Sequence, residues 1–199
     1  MFYGCSNITE IPKNLLPATI MFPYCYAYMF YKCIGITKIP KEIFVATNLE
    51  TGCYYYMFSG CGITTIPEGI LNILNLKEKC YQNMFSGCVN LTTIPENLLP
   101  ATILAPYCYY GMFYGCSSLN NIPKNLLHST KLAPYCYYQM FYNCTSLENA
   151  PSLPASYLPR YTYYQMFMNC TNLKQLPKLT TVTPFDYCYY QMFKGCTNI

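Results

Sequence analysis

The 199-residue sequence has no tryptophan, and it has only one histidine, one aspartate and one arginine. A single His and a single Asp offer little material for an acid–base pair or a metal-ligand set, which speaks against a hydrolase or a metalloenzyme. One Arg and eleven scattered Lys form no basic stripe that could neutralise a row of phosphates, so nucleic-acid binding is not expected. Charged residues make up 10% of the chain and hydrophobic residues 53%, a balance that excludes a disordered chain.

Tyrosine, proline and cysteine are abundant instead, with 24, 15 and 14 residues, and a repeat accounts for them. The dipeptide Met-Phe recurs at intervals of 26 to 28 residues. One Cys precedes most of these Met residues by four positions, and we call these residues the first cysteine column. Another Cys follows every Met by four positions, and these residues form the second cysteine column. The second cysteine column comprises Cys5, Cys33, Cys61, Cys88, Cys116, Cys144, Cys170 and Cys196. The first comprises Cys25, Cys53, Cys80, Cys108, Cys136 and Cys188, with Thr162 in the remaining place.

The repeat unit reads C-Y-x-x-M-F-x-[G/N/K]-C-x-x-[L/I]-x-x-[I/L/A]-P, followed by a connection of variable length. At about 100° per residue, Tyr, Met and Phe share one stripe with the first Cys, which predicts a helix of about nine residues. So short a helix must be held by packing. Before the second Cys, Gly or Asn predicts a left-handed turn that ends the helix, and Lys32 departs from this rule. The residues of this turn are Gly4, Gly60, Gly87, Gly115, Asn143, Asn169 and Gly195.

The segment after the second Cys, such as Leu119 to Pro123, predicts a short strand that stacks on its neighbours and ends at the Pro. The predicted fold is therefore an α/β repeat solenoid, a stack of short helix plus short strand rungs. One repeat domain spans residues 1–199 with about seven repeats. Both ends lie in mid-repeat and carry no visible cap.

The repeat resembles the leucine-rich repeats of bacterial BspA-type surface proteins and their short-period relatives. The stretch Met112 to Leu119 (MFYGCSSL) carries the resemblance most clearly. Cys136 to Phe141 and Ala150 to Ala155 are similar to units in surface and phage proteins of gut bacteria. The chain lacks the extended L-x-x-L-x-L-x-x-N strand of longer leucine-rich repeats. The resemblance implies a solenoid with adhesive or recognition roles and no catalysis.

The cysteines allow three interpretations. Pairing within a repeat, such as Cys25 with Cys33, would need the helix to break, because eight helical residues span about 12 Å and a disulfide needs Cα atoms within about 7 Å. Pairing across a connection or between neighbouring rungs stays open. Thr162 stands in the first cysteine column and would leave one Cys of a disulfide ladder without a partner. A column of small packed core residues accepts such a substitution more easily, because free thiols pack as small hydrophobes. The C-x7-C spacing differs from the knuckle of structural zinc sites, so no metal or other cofactor is expected.

Two surfaces are candidates for recognition. A tyrosine row two residues after the first Cys is a candidate binding or lateral-contact row, formed by Tyr55, Tyr110, Tyr138, Tyr164 and Tyr190. Packing between repeats is the alternative for this row. On the strand side, the polar pairs Thr37-Lys38, Thr64-Thr65, Thr92-Thr93 and Asn120-Asn121 form a second face. This face is a recognition surface or a solvated strand face.

Catalytic and membrane roles find little support. His128 lies in a variable connection, and a Cys–His nucleophile would need a base held close to one special thiol. Residues 97–123 carry no charge, but they contain Pro100 and Pro106 and repeat the common unit. They predict packed core and no membrane span.

The sequence therefore predicts a non-enzymatic extracellular or cell-surface scaffold with a structural or adhesive role. The uncapped ends indicate either an excerpt of a longer chain or copies that stack end to end into a fibre. The alternative is a ligand-recognition module, such as a surface adhesin or a phage tail-fibre segment. The expected partners are copies of the chain itself, neighbouring repeats, or a host protein or glycan.

Overall fold

The computed structural model describes all 199 residues as a stack of rungs around one continuous core of 56 residues. Its two strands, Tyr157–Leu158 (β1) and Thr183–Pro184 (β2), pair in parallel with Tyr157 opposite Thr183. Four isolated parallel bridges connect further rungs, for example Thr93 with Asn121 and Leu153 with Leu179. The predicted strand segments, such as Leu119 to Pro123, carry at most a single bridge to a neighbouring rung, and both strands lie in the connections, so the predicted strand of each rung is not confirmed.

The predicted helix is wrong, because the chain contains no α-helix. The segment between the two Cys of each repeat is a row of linked turns, which we call a turn ribbon. The seven turn ribbons cover residues 24–33, 52–61, 79–88, 107–116, 135–144, 161–170 and 187–196. The stack contains no helix that is long and apolar enough to cross a membrane.

A turn ribbon alternates between two kinds of backbone hydrogen bond. In ribbon 107–116, the amides of Cys108, Tyr110, Met112, Tyr114 and Cys116 each donate to the carbonyl three residues earlier. The amides between them donate to the next rung, as from Phe113 to the carbonyl of Met140 at 3.0 Å. Every second amide therefore closes a turn and the others join the rungs, so the backbone groups are satisfied without a helix.

Positive φ angles fall on every fourth residue of a ribbon. In ribbon 107–116 they fall on Tyr107 (57°), Gly111 (55°) and Gly115 (70°). Pro106 precedes Tyr107, and a Pro followed by a residue with positive φ is the signature of a type II turn. The Pro that was expected at a helix start therefore begins a turn.

The Gly and Asn positions predicted to end a helix all have positive φ, from 57° at Asn143 to 79° at Gly195, and Lys32 has 58°. No helix precedes them, so the turn they form is the last of a ribbon. Lys32 adopts the left-handed conformation despite its side chain, which costs conformational energy that Gly avoids.

The ribbon's period of four residues points the same side chains inward as the predicted stripe. Two residues face the core and the next two face outward. Tyr109, Met112 and Phe113 are at most 1% exposed, and the equivalent residues of the neighbouring ribbons are also buried. The predicted inward face is confirmed, although the backbone that produces it is different.

Candidate functional site

The core of the stack is built from columns of identical side chains. Eight Phe rings, from Phe2 to Phe193, stack from rung to rung with centroids 5.4–5.9 Å apart and planes within 9°. A parallel column of Tyr rings runs from Tyr26 to Tyr189 at 5.8–6.1 Å. Offset aromatic pairs add about 0.5–1.5 kcal/mol each beyond burial, so these columns hold the rungs in register.

The thiols of the second cysteine column donate hydrogen bonds across the rungs. Cys116 Sγ lies 3.2 Å from the carbonyl oxygen of Phe85, and Cys144 Sγ lies 3.1 Å from that of Phe113. The same contact recurs from Cys33 to Cys196 at 2.7–3.2 Å. Each Phe carbonyl also accepts the amide of the second Cys in its own ribbon, as Phe85 accepts Cys88. Cys thus fills a small buried space and supplies a weak donor, two properties that no aliphatic side chain combines.

All 14 cysteines are free thiols, eleven of them buried, with Cys5 and Cys25 exposed and Cys196 between the two classes. Burial raises the pKa of Cys53, Cys116 and Cys136 to about 12. It also raises the pKa of Cys88 and Cys144 well above the usual range. The thiolate is the reactive form, so these buried thiols are poor nucleophiles.

Thr162 explains how the first cysteine column accepts a different residue. The Thr162 side chain is fully buried, and its hydroxyl donates to the carbonyl oxygen of Pro159. A buried hydroxyl with a partner carries little penalty, so a small side chain with a satisfied donor fits this position.

We expect the native protein to react with iodoacetamide at Cys5 and Cys25 first and at Cys196 more slowly. The other eleven thiols are shielded and protonated, so they should react only when the chain unfolds. Intact mass after timed alkylation measures this: two fast adducts in buffer and fourteen in denaturant without reductant. Fewer than fourteen adducts in denaturant would show that some cysteines are oxidised.

The chain contains no group of three or more His, Cys, Asp or Glu side chains placed to hold a metal ion. His128 is exposed and lies in a connection between rungs. Glu148 forms an ion pair with Lys174 at 2.8 Å on the surface. These charged groups gather in no cleft and assemble no acid–base pair.

The predicted tyrosine row forms a ring-on-ring stack over four rungs. Tyr110, Tyr138, Tyr164 and Tyr190 lie face to face at 4.6, 4.6 and 5.0 Å. Tyr55 is separate, because its ring lies edge-on to Tyr28 and Tyr56. The ring faces between Tyr110 and Tyr190 are covered by their neighbours in the stack.

A second tyrosine stack, absent from the sequence prediction, runs beside the first. Tyr107, Tyr135, Tyr161 and Tyr187 lie at 4.6, 4.6 and 5.2 Å. They occupy the place before the first Cys, which is also Tyr in the ribbon of Tyr24, and this regularity could have revealed the stack. We call the eight rings of both stacks the tyrosine lattice.

Amide side chains form a ladder next to the tyrosine lattice. Gln139 Nε2 donates to Gln165 Oε1, and Gln165 Nε2 donates to Gln191 Oε1, both at 2.7 Å. Asn169 Nδ2 donates to Asn143 Oδ1 at 2.9 Å. On the outer face of the last rungs, these side-chain hydrogen bonds therefore join neighbouring rungs in addition to the backbone hydrogen bonds.

The polar strand face is exposed and borders an open groove of about 700 Å³ that runs across four rungs. Thr93, Asn121, Asn149 and Gln175 form one wall of this groove. Three charged side chains, Glu96, Lys124 and Lys178, also line it. We call it the polar groove; its regularly spaced amides can donate and accept hydrogen bonds along an extended ligand.

Comparison with known families gives one match, to the family described as the BspA type leucine-rich repeat region, with six copies over residues 1–199. Comparison with curated proteins gives no match. A leucine-rich repeat protein from Bacteroides ovatus is 20% identical over this whole chain and 49% of its own length, with a TM-score of 0.46. Another, from Eubacterium ventriosum, is 19% identical over 85% of this chain and 39% of its own, with a TM-score of 0.42.

A leucine-rich cell surface protein from Faecalibacterium prausnitzii is 14% identical over 87% of this chain and 67% of its own, with a TM-score of 0.32. The chain thus spans about half, or less, of the length of the Bacteroides and Eubacterium proteins. The repeat columns and the full-length family match lead to one conclusion: this protein belongs to the BspA-type leucine-rich repeat family.

Proposed function

We propose that the protein is a non-enzymatic scaffold of the bacterial cell surface with a structural or adhesive role, and that its rungs stack head to tail on copies of itself or on further repeats. The family supports the surface role, since a related solved structure is a cell surface protein. The buried thiols with raised pKa and the scattered charges support a passive scaffold.

One observation carries the stacking part of the proposal. Within the turn ribbons, every backbone hydrogen bond between rungs runs from an amide of the earlier rung to a carbonyl of the later one, at 2.6–3.3 Å. A rung therefore presents donors toward the following rung and acceptors toward the preceding one. Two donor faces, or two acceptor faces, cannot form hydrogen bonds with each other. A donor face can pair only with an acceptor face, so copies can extend the stack only head to tail.

We expect the purified 199-residue chain to form oligomers whose size grows with protein concentration. Val182 in the last rung is 80% exposed and Ile20 in the first is 77% exposed. Val182→Lys and Ile20→Lys should each shift the distribution toward monomer, because a charge would have to be desolvated in the contact. Sedimentation velocity over a hundredfold concentration range measures the shift.

Ile103→Lys serves as the matched control, because Ile103 is 59% exposed but lies in the middle of the stack. The control should leave the distribution unchanged. A single monomeric species at all concentrations, or an equal effect of Ile103→Lys, would contradict stacking.

The alternative is a ligand-recognition module that uses the polar groove. The regular amide spacing of Asn121 and Asn149 over the same wall supports an extended peptide or glycan as ligand. Binding to a glycan or peptide array that is lost in Asn121→Ala and kept in Tyr138→Phe would favour this alternative over a purely structural role.

A further inference from the structure

We propose that the tyrosine lattice is a site of oxidative cross-linking, at which a one-electron oxidant such as a haem peroxidase with hydrogen peroxide joins tyrosines of successive rungs into dityrosine. The lattice comprises Tyr107, Tyr135, Tyr161 and Tyr187 in one column and Tyr110, Tyr138, Tyr164 and Tyr190 in the other. This modification goes beyond the proposed scaffold function and does not depend on it.

The geometry of the lattice brings the reacting rings together before any oxidation. Tyr135 lies 4.6 Å from both Tyr107 and Tyr161, with planes within 9°. Tyr138 lies 4.6 Å from both Tyr110 and Tyr164, with planes within 8°. Ortho carbons of stacked phenoxyl rings face one another and can join, after which the rings must turn out of the parallel arrangement, because a biaryl bond lies in the plane of both rings.

Neighbouring rings within one rung are less favourably placed. Tyr135 and Tyr138 are 5.8 Å apart with planes at 37°, and Tyr161 and Tyr164 are 5.7 Å apart at 47°. The shorter distance along each column selects coupling between rungs.

The backbone of the first column does not by itself account for its tyrosines. Tyr107, Tyr135, Tyr161 and Tyr187 have φ angles of 55–61°, a region that favours glycine and disfavours bulky residues. The equivalent residue in ribbon 52–61 is Gly52. Lys79 takes this place in the next ribbon with a φ of 57°, so the left-handed backbone accepts several residue types and does not itself require Tyr in the four ribbons that follow.

Accessibility separates the lattice from the core column of stacked tyrosines, whereas Tyr114 and Tyr142 form a further half-buried stacked pair at 4.8 Å. Tyr187 and Tyr190 are 57% and 44% exposed, and the other six rings of the lattice are half-buried. In the core column, the rings from Tyr54 to Tyr163 are at most 2% exposed and spaced at about 6 Å, whereas the end rings Tyr26 and Tyr189 are partly buried. An oxidant in solution therefore reaches the lattice more readily than the inner rings of the core column.

The coupling step balances with a peroxide as the electron acceptor. Each of two phenols loses one electron and one proton to give a phenoxyl radical, and the radicals join at their ortho carbons. The two ortho hydrogens then leave as protons and each ring oxygen takes up one proton, so the rings regain aromaticity as phenols with no further loss of hydrogen. Over the whole step, two phenols and one hydrogen peroxide give one dityrosine and two waters.

Protonation of the lattice fits this route. Burial is the main cause that raises the pKa of Tyr110 and Tyr138, with further contributions from neighbouring tyrosines. The phenols therefore stay protonated at neutral pH, so each oxidation removes an electron together with a proton. A radical formed on one ring has a neighbouring ring in contact on the same column.

The test treats dilute 199-residue protein with a haem peroxidase and hydrogen peroxide. Dityrosine fluorescence gives the yield, intact mass gives the loss of two hydrogens per link, and tandem mass spectrometry locates the links. We expect links within one chain that join Tyr107 to Tyr135, Tyr135 to Tyr161, or the matching pairs of the second column.

The double variant Tyr135→Phe/Tyr138→Phe keeps both stacked rings but removes the two lattice phenols of one rung. It should lower the yield severalfold and abolish every lattice link to that rung. Tyr157→Phe is the matched control, because Tyr157 is 51% exposed and lies against Phe185 outside the lattice. The control should leave yield and link positions unchanged.

The proposal would be overturned by links found only between chains, by an equal loss of yield in Tyr157→Phe, or by the same link map from denatured protein. Near-ultraviolet circular dichroism of each variant checks that its stacked rings are retained. A fluorescent product whose links map to the core column would also overturn it.

Discussion

Phe113→Ala is expected to lower the free energy of unfolding by about 3–5 kcal/mol, because it leaves a cavity in the middle of the phenylalanine column. The Phe113 ring is fully buried and stacked between Phe85 and Phe141 at 5.9 and 5.7 Å. Neighbouring rungs are fixed by backbone bonds, so the cavity can collapse only in part. Urea denaturation followed by near-ultraviolet circular dichroism measures the change.

Phe22→Ala is the control for this measurement. Phe22 is 72% exposed, so the same truncation should change the free energy of unfolding by less than about 0.5 kcal/mol. A cost below about 1 kcal/mol for Phe113→Ala would contradict the inward face of the ribbon, since a buried Phe cannot be lost so cheaply.

Alkaline pH is expected to unfold the protein within about one to two pH units above 9, where free thiols in an unfolded chain ionise. Burial raises the folded-state pKa of Cys53, Cys116 and Cys136 from 9.0 to about 12. Between these values the unfolded chain binds fewer protons than the folded one, so stability falls as pH rises. Three such thiols together remove about 4 kcal/mol per pH unit.

Urea midpoints at pH 7, 9 and 10.5 measure this loss. Stability should be nearly constant from pH 7 to 8, decline at 9 and collapse by 10.5. Cys116→Ala removes one of the titrating thiols, so its stability should fall less steeply, by about 1.4 kcal/mol per pH unit. Equal midpoints at pH 7 and 10.5 would contradict the burial of the thiols in the folded protein.

The inward and outward faces of the repeat could be predicted from the sequence, but the backbone that produces them could not. Cys108, Tyr109, Met112, Phe113 and Cys116 all lie on the predicted buried side. Over nine residues, a period of 3.6 and a period of 4.0 place the same residues inward, so the pattern fits a helix and a turn ribbon alike. A second signal was needed to separate them.

That second signal was present but weak. Gly115 and its equivalents indicate one left-handed residue per repeat, whereas the structure has three. The other two fall on residues such as Tyr107 and Gln139, whose types give no hint of positive φ. Tyr, Phe and Cys also rank below the good helix formers, so propensity already argued against a helix.

The tyrosine row shows a second limit of the sequence. Its members could be found by column, but face-to-face stacking depends on the 4.6 Å contacts between rungs, which one repeat alone does not encode. The hydrogen bonds that thiols donate between rungs, such as that from Cys144 to the carbonyl of Phe113, also depend on contacts that one repeat alone does not encode. Both arise only when copies of the repeat are set side by side.

The single direction of the hydrogen bonds in the turn ribbons has an electrical consequence. In an ordinary sheet the strand dipoles alternate and nearly cancel. Here the amides of Phe85, Phe113 and Phe141 all point toward later rungs, while the opposing bonds on the strand side, such as Asn120 to Thr92, are fewer. The peptide dipoles therefore add up along the stack, with the positive end toward the last rung, the reverse of an α-helix read in the same chain direction. Near an anionic surface, such a stack should orient with its carboxy-terminal rungs toward that surface.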